Sequence, residues 1–102
     1  SLFDQCCFQG HTHVPGVFTE GLRFFSPDDL GYEYSTSDEK IMVNVGSVGQ
    51  PRDGDPRSCY VILTEDGLQY RRVEYDFEET IKKIYDIPEL DNFLGDRLRA
   101  GR

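Results

Sequence analysis

Histidine occurs twice in the chain, at His11 and His13, within "FQGHTHVPG" at residues 8–16. Neutral imidazole is a good ligand for Zn, Mn, Fe and Ni, so a His-x-His pair is a candidate metal site. In an extended segment, residues two apart project to the same side, and both rings could then address one place. Gly10 and Gly16 let the backbone bend, and Pro15 stiffens the exit. The blander reading is two loop histidines that face solvent.

Other chemistry-bearing residues are weaker candidates. Cys6 and Cys7 are adjacent in an apolar stretch, so on a strand they face opposite sides and at most one could join the histidines in a zinc site. Free thiols in an apolar strand are the ordinary alternative. Asp53 and Asp55 in "RDGDPR" lack the further oxygen ligands of a calcium loop. They read instead as turn formers bonding their own backbone, or as partners of Arg52 or Arg57. In "NVGSVGQPR" (residues 44–52), Gly46 and Gly49 are simple turn formers on one reading. On another, Asn44, Ser47 and Arg52 shape a phosphate pocket, with backbone amides and a bidentate guanidinium facing the anion. No residue is nominated as a general acid, general base or nucleophile.

The elements that must position these groups change character along the chain. "LFDQCCFQ" (residues 2–9) suits a buried strand that stops at Gly10. Residues 16–40 are punctuated by Gly21, Pro27, Asp28, Asp29 and Gly31 and read as irregular, with short strands or turns at most. Residues 40–45 are a strand, 46–57 a Gly-, Pro- and Asp-rich loop. Residues 58–64 and 68–75 are strands joined at Glu65-Asp66-Gly67, a strong hairpin signal. From Asp76 the period changes. Asp76 and Glu79 have capping-box spacing, and Phe77, Ile81, Ile84 and Ile87 fall on one helical face. After Pro88 a second stripe of Leu90, Phe93, Leu94 and Leu98 runs up to Gly101. These helical stripes are expected to pack on the chain's own sheet.

Strands followed by helices predict an α+β fold with an antiparallel or mixed sheet and C-terminal helices. The 102 residues make one domain, residues 1–75 mainly strands and loops and 76–100 helical. With 19 acidic against 11 basic residues and a net charge of −8, binding to a nucleic-acid backbone is not expected. Three cysteines with two adjacent do not make a disulfide framework and favour a reduced, cytoplasmic setting. No stretch approaches the ~20 apolar residues that cross a bilayer, so no membrane association is expected.

"GHTHVP", the later "NVGSVGQPRDGDPRSCYVIL" and the closing "YDFEETIKKIYDIPELDNFLGDRLRAG" together resemble the C-terminal part of the calcineurin-like metallophosphoesterases. The nearest branch is the small bacterial and archaeal phosphodiesterases and serine/threonine phosphatase-like proteins. The resemblance runs from about Cys6 to the end. It implies the C-terminal half of a four-layer αββα sandwich. It implies that His11 ligates one divalent ion and His13 another, the two ions being Mn, Fe, Ni or Zn. Two ions about 3.5–4 Å apart clamp a phosphate ester and lower the pKa of a water that attacks phosphorus. The loop at this place in the family usually reads Asn-Pro-Gly-Ser; here Val45 stands where the proline would be.

The family's other ligand motifs (Asp-x-His, Gly-Asp, Gly-Asn-His and a further His) would precede Gly10, and only nine residues do so here. Two histidines cannot satisfy two ions. The expectation is therefore part of a phosphoesterase, inactive alone, whose substrate is a phosphate-ester small molecule or a phosphoprotein. It would pair with a missing N-terminal half or form a homo-oligomer through surfaces left uncovered. The alternatives are a non-catalytic interaction domain that retains these residues, and a mononuclear zinc module.

Overall fold

The computed structural model describes residues 6–35 and 39–102. Strands β1 (Cys6–Gln9), β2 (Gly16–Thr19), β3 (Phe24–Phe25) and β5 (Ile41–Asn44) form one mixed sheet in the order β1-β5-β2-β3. Strands β4 (Glu33–Ser35), β6 (Ser58–Leu63) and β7 (Gly67–Val73) form a second, antiparallel sheet in the order β4-β7-β6. A one-turn helix α1 (Pro27–Leu30) lies between β3 and β4, and α2 (Phe77–Tyr85) and α3 (Phe93–Ala100) close the chain. This is the α+β architecture expected from the sequence. Among the described residues, no helix is long and apolar enough to cross a membrane.

Alternation along the strands builds the core. Ile41 and Val43 face inward while Met42 is only half-buried, as the two-residue period of a strand requires. Together with Val17 they meet Cys59, Leu68 and Tyr70 from the other sheet, so the two sheets face one another across a shared apolar layer. Tyr70 is fully enclosed, and its hydroxyl donates to the Asn44 carbonyl at 2.6 Å. A buried phenol needs such a partner, and here the bond ties the second sheet to the end of β5.

Register then fixes where the histidines go. Gln9 on β1 and Gly16 on β2 both stand beside Asn44 on β5, one from the parallel side and one from the antiparallel side. The intervening residues 10–15 must arch over the end of β5, next to the start of the loop that follows Asn44.

Several expectations are adjusted. The first four residues of the strand expected at 2–9 lie outside the described residues, as do residues 36–38 of the irregular segment. Within that segment, expected to hold short strands or turns, β2 is a four-residue interior strand held by pairing with β5 and β3 on either side. The stretch "SPDDLG" forms helix α1. Ser26 Oγ accepts from the Asp29 N–H at 3.2 Å, the Asp29 carboxylate accepts from the Ser26 N–H at 3.1 Å, and Gly31 closes the turn at φ 63°. The hairpin turns at Glu65-Asp66, with the Thr64 N–H donating to the Gly67 carbonyl at 2.8 Å. Asp76 caps α2 as expected, but the helix ends at Tyr85, leaving Ile87 and Leu90 outside both helices and exposed. Of the second stripe only Leu98 is buried, and α2 and α3 pack chiefly on each other rather than on a sheet.

Candidate metal-binding turn and its supporting loop

Residues Gly10–His13 are a tight turn, with the His13 N–H donating to the Gly10 carbonyl at 3.0 Å. The segment is not extended, so the argument that residues two apart share a side does not apply to the pair. His13 instead adopts a left-handed backbone at φ 62°. For a residue with a Cβ this conformation costs about 1–2 kcal/mol and persists only where surrounding structure holds it.

What holds it comes from the loop after β5. His13 Nδ1 lies 2.8 Å from the Gln50 carbonyl oxygen. A carbonyl can only accept, so Nδ1 carries the proton, and in the neutral ring Nε2 keeps a free lone pair. That tautomer, fixed by an outer hydrogen bond, leaves Nε2 able to ligate a metal. The His13 carbonyl in turn accepts from the Arg52 N–H at 3.0 Å. Ser47 Oγ accepts from the Gln50 N–H at 2.9 Å, which sets the peptide plane on one side of the Gln50 carbonyl group. His11 sits exposed at the turn, two residues earlier.

Asn44 joins the two segments. It is only 1% exposed. Its Nδ2 donates to Thr12 Oγ1 at 2.8 Å, and its Oδ1 accepts from the Gly46 N–H at 2.9 Å. Gly46 has φ 78°, and a Cβ there would meet Cys59 Sγ at 3.0 Å and Pro15 Cβ at 3.1 Å, so conformation and space both require glycine. Val45 uses the N–H that a proline would lack, donating to the Gln9 carbonyl at 2.8 Å. The loop tip is pinned further by Ser58 Oγ donating to the Val48 carbonyl at 2.6 Å and Tyr75 Oη to the Gly49 carbonyl at 3.4 Å.

The residues singled out in the sequence thus divide. His13, Asn44 and Ser47 belong to one hydrogen-bonded assembly around the turn. Arg52 contributes its backbone, while its exposed guanidinium lies 3.4 Å from Gln50 Oε1. Asp55 pairs with Arg57 at 2.7 Å and accepts the Arg57 N–H at 3.0 Å, so it is both ion-pair partner and turn former. Asp53 pairs with Arg72, whose side chain is only 5% exposed. Cys6 and Cys7 are free thiols, as is buried Cys59, whose pKa is pushed up by burial, the wrong direction for a nucleophile. Thr12 and Gln50 are the participants that sequence reasoning passed over. Thr12 had a signal in its place between the histidines, whereas Gln50 acts through its backbone, which no residue type announces.

The donor set fits a divalent ion in part. His13 Nε2 has the required lone pair, and the neighbouring exposed His11 offers a second imidazole. Among the described residues, no group of three or more His, Cys, Asp or Glu side chains is gathered closely enough to hold a metal ion.

No protein-family model matches the chain. It is 39% identical over 102 residues to uncharacterized protein MJ0912 of Methanocaldococcus jannaschii, covering 98% of this chain and 41% of that protein. It superposes on the crystal structure of a metallophosphoesterase from Sphaerobacter thermophilus with a TM-score of 0.87 at 37% identity, covering 98% of this chain and 43% of that one. The chain therefore spans less than half the length of the relatives it matches. Its two sheets and helices have the fold of a portion of a metallophosphoesterase.

Proposed function

We propose that the His11–His13 turn and the Asn44–Arg52 loop are part of a dinuclear-metal phosphoesterase centre whose remaining ligands come from polypeptide outside these 102 residues. The observation that carries this reading is the His13 ring. In a fold shared with a metallophosphoesterase, a strained histidine is locked with Nδ1 on a carbonyl and Nε2 available. The strain alone does not mark a site; what supports the reading is that residues 50 and 52 hold both the ring and the backbone of His13.

Within such a centre His11 and His13 each serve one ion. Bound divalent ions would supply Lewis acidity toward the phosphate ester and a lowered pKa for the attacking water. The chain's own residues orient and bind. Asn44 grips Thr12 and so holds the turn between the two histidines. Ser47 Oγ accepts from Gln50 and retains its own O–H to donate to a phosphate oxygen. The Arg52 guanidinium, exposed and weakly engaged, is free to swing onto the anion as a bidentate donor. The substrate is a phosphate ester, and the chain alone is inactive because two imidazoles leave an ion short of ligands and of neutralising charge. Absent ligand-bearing polypeptide, the uncovered outer face of the mixed sheet, where the Phe18 and Phe24 rings lie 4.7 Å apart, associates with a second copy.

The test is hydrolysis of bis-(p-nitrophenyl) phosphate with added Mn2+, comparing this chain with the product of its complete reading frame. Turnover by the latter that His13→Ala abolishes supports the reading. Metal-free, inactive protein in both cases would favour the non-catalytic interaction domain.

A further inference from the structure

We infer that the Ser47–Gln50 turn is a positioning device that selects the tautomer of His13, a role of Ser47 distinct from any contact of its O–H with a substrate. The inference rests on reading His13 as a metal ligand, but its observable does not involve metal.

The geometry is a relay of three groups. Ser47 Oγ accepts from the Gln50 N–H at 2.9 Å, closing a turn across three residues. That turn aims the Gln50 carbonyl at His13 Nδ1, 2.8 Å away. The returning strand of the relay is the Arg52 N–H donated to the His13 carbonyl at 3.0 Å, so the ring and its own backbone are both held by residues 50 and 52. Ser47 is itself anchored, because its carbonyl accepts from the Cys59 N–H at 2.9 Å at the buried start of β6. The loop is thus rigid from core to ring, and the ring nitrogen it leaves unprotonated is Nε2. An unconstrained histidine side chain in water favours the opposite tautomer, with the proton on Nε2, so the device works against the intrinsic preference. Exposed His11 provides an internal comparison on the same turn.

The experiment is nitrogen-15 NMR of the imidazoles in metal-free chain, at a pH where both rings are neutral. The expected result is His13 protonated at Nδ1 and His11 a mixture favouring Nε2–H. In Ser47→Ala the His13 population shifts about fivefold toward Nε2–H, the factor that one lost neutral hydrogen bond allows, and Ser47→Thr, which keeps the hydroxyl, restores it. A wild-type His13 that carries its proton on Nε2 overturns the proposal, and so does a folded Ser47→Ala chain with an unshifted ring. The wild-type reading needs no variant, so it can overturn the proposal even if Ser47→Ala does not fold. Failure of the phosphoesterase reading would be seen instead in the absence of turnover by the complete reading frame, with the tautomer unchanged.

Discussion

Among the described residues three non-glycines, His13, Leu22 and Tyr32, lie in the left-handed region, and the first two differ in what they gain from it. His13 at φ 62° is clamped from both sides by residues 50 and 52, and its strain positions a ring. Leu22 at φ 61° is 96% exposed, so its side chain buries almost nothing in return. Leu22→Asn, with a residue that tolerates this region, should therefore stabilise the chain by up to about 1 kcal/mol, seen as a higher midpoint in urea. Asp55 behaves differently. Hydrogen bonds from Arg57 hold its pKa below the usual carboxylate value, against a smaller opposing push from burial. A carboxylate depressed in the folded state adds stability above its unfolded pKa, near 3.9, and loses it as pH falls through the folded value. Urea midpoints of wild type and Asp55→Asn should accordingly differ most near neutral pH and converge as pH falls through the folded value. A gap of the same size at every acid pH would show that the carboxylate's charge contributes nothing to it.

At the scale of elements, what could be seen in the sequence was whatever is local. The β6–β7 hairpin declared itself because Glu65-Asp66-Gly67 and the flanking strands are contiguous, and Asp76 marked the start of α2 for the same reason. β2 did not. Its four residues bury chiefly Gly16 and Val17, and it is a strand because β5, more than twenty residues later, pairs with it. The histidines were visible as residue types, but the turn that carries them was not, since a left-handed backbone and a carbonyl acceptor leave no mark on composition. Val45 is instructive. In the family whose loop this one resembles proline is usual there, yet here the Val45 N–H completes the β1–β5 ladder on Gln9. Val45→Pro should cost about 1–3 kcal/mol, read from chemical denaturation, because it leaves that carbonyl without its donor. Gly101 does the corresponding work at the other end. At φ 69°, with Asp55 N only 2.6 Å from where a Cβ would stand, it lets the end of α3 approach the Asp53–Asp55 turn, and its carbonyl accepts from the Gly54 N–H at 2.9 Å. Gly101→Ala should break this contact and raise the hydrogen-exchange rate at Gly54 without altering the sheets.

As a whole the molecule is elongated, 51 × 25 × 19 Å, with the helical pair packed mainly on itself. Phe18 and Phe24 remain exposed on the mixed sheet, their rings in tilted contact, and together with Thr12 and Val14 of the histidine segment they line one hollow. On the proposed reading this face adjoins the polypeptide that supplies the other ligands, and in its absence the chain self-associates. Phe18→Ser should then shift the sedimentation behaviour toward monomer, whereas a wild-type chain that stays monomeric at high concentration would count against it. On the same reading, the held His13 and the exposed His11 complete a phosphoesterase centre only with carboxylates from elsewhere. Rates on bis-(p-nitrophenyl) phosphate in Mn2+ test it most directly, measured for these 102 residues and for the complete reading frame with and without His13→Ala. The expected result is no turnover by the short chain, turnover by the long one, and loss of at least about a hundredfold in the variant. Equal rates from short and long chains, or a variant as fast as wild type, would contradict it.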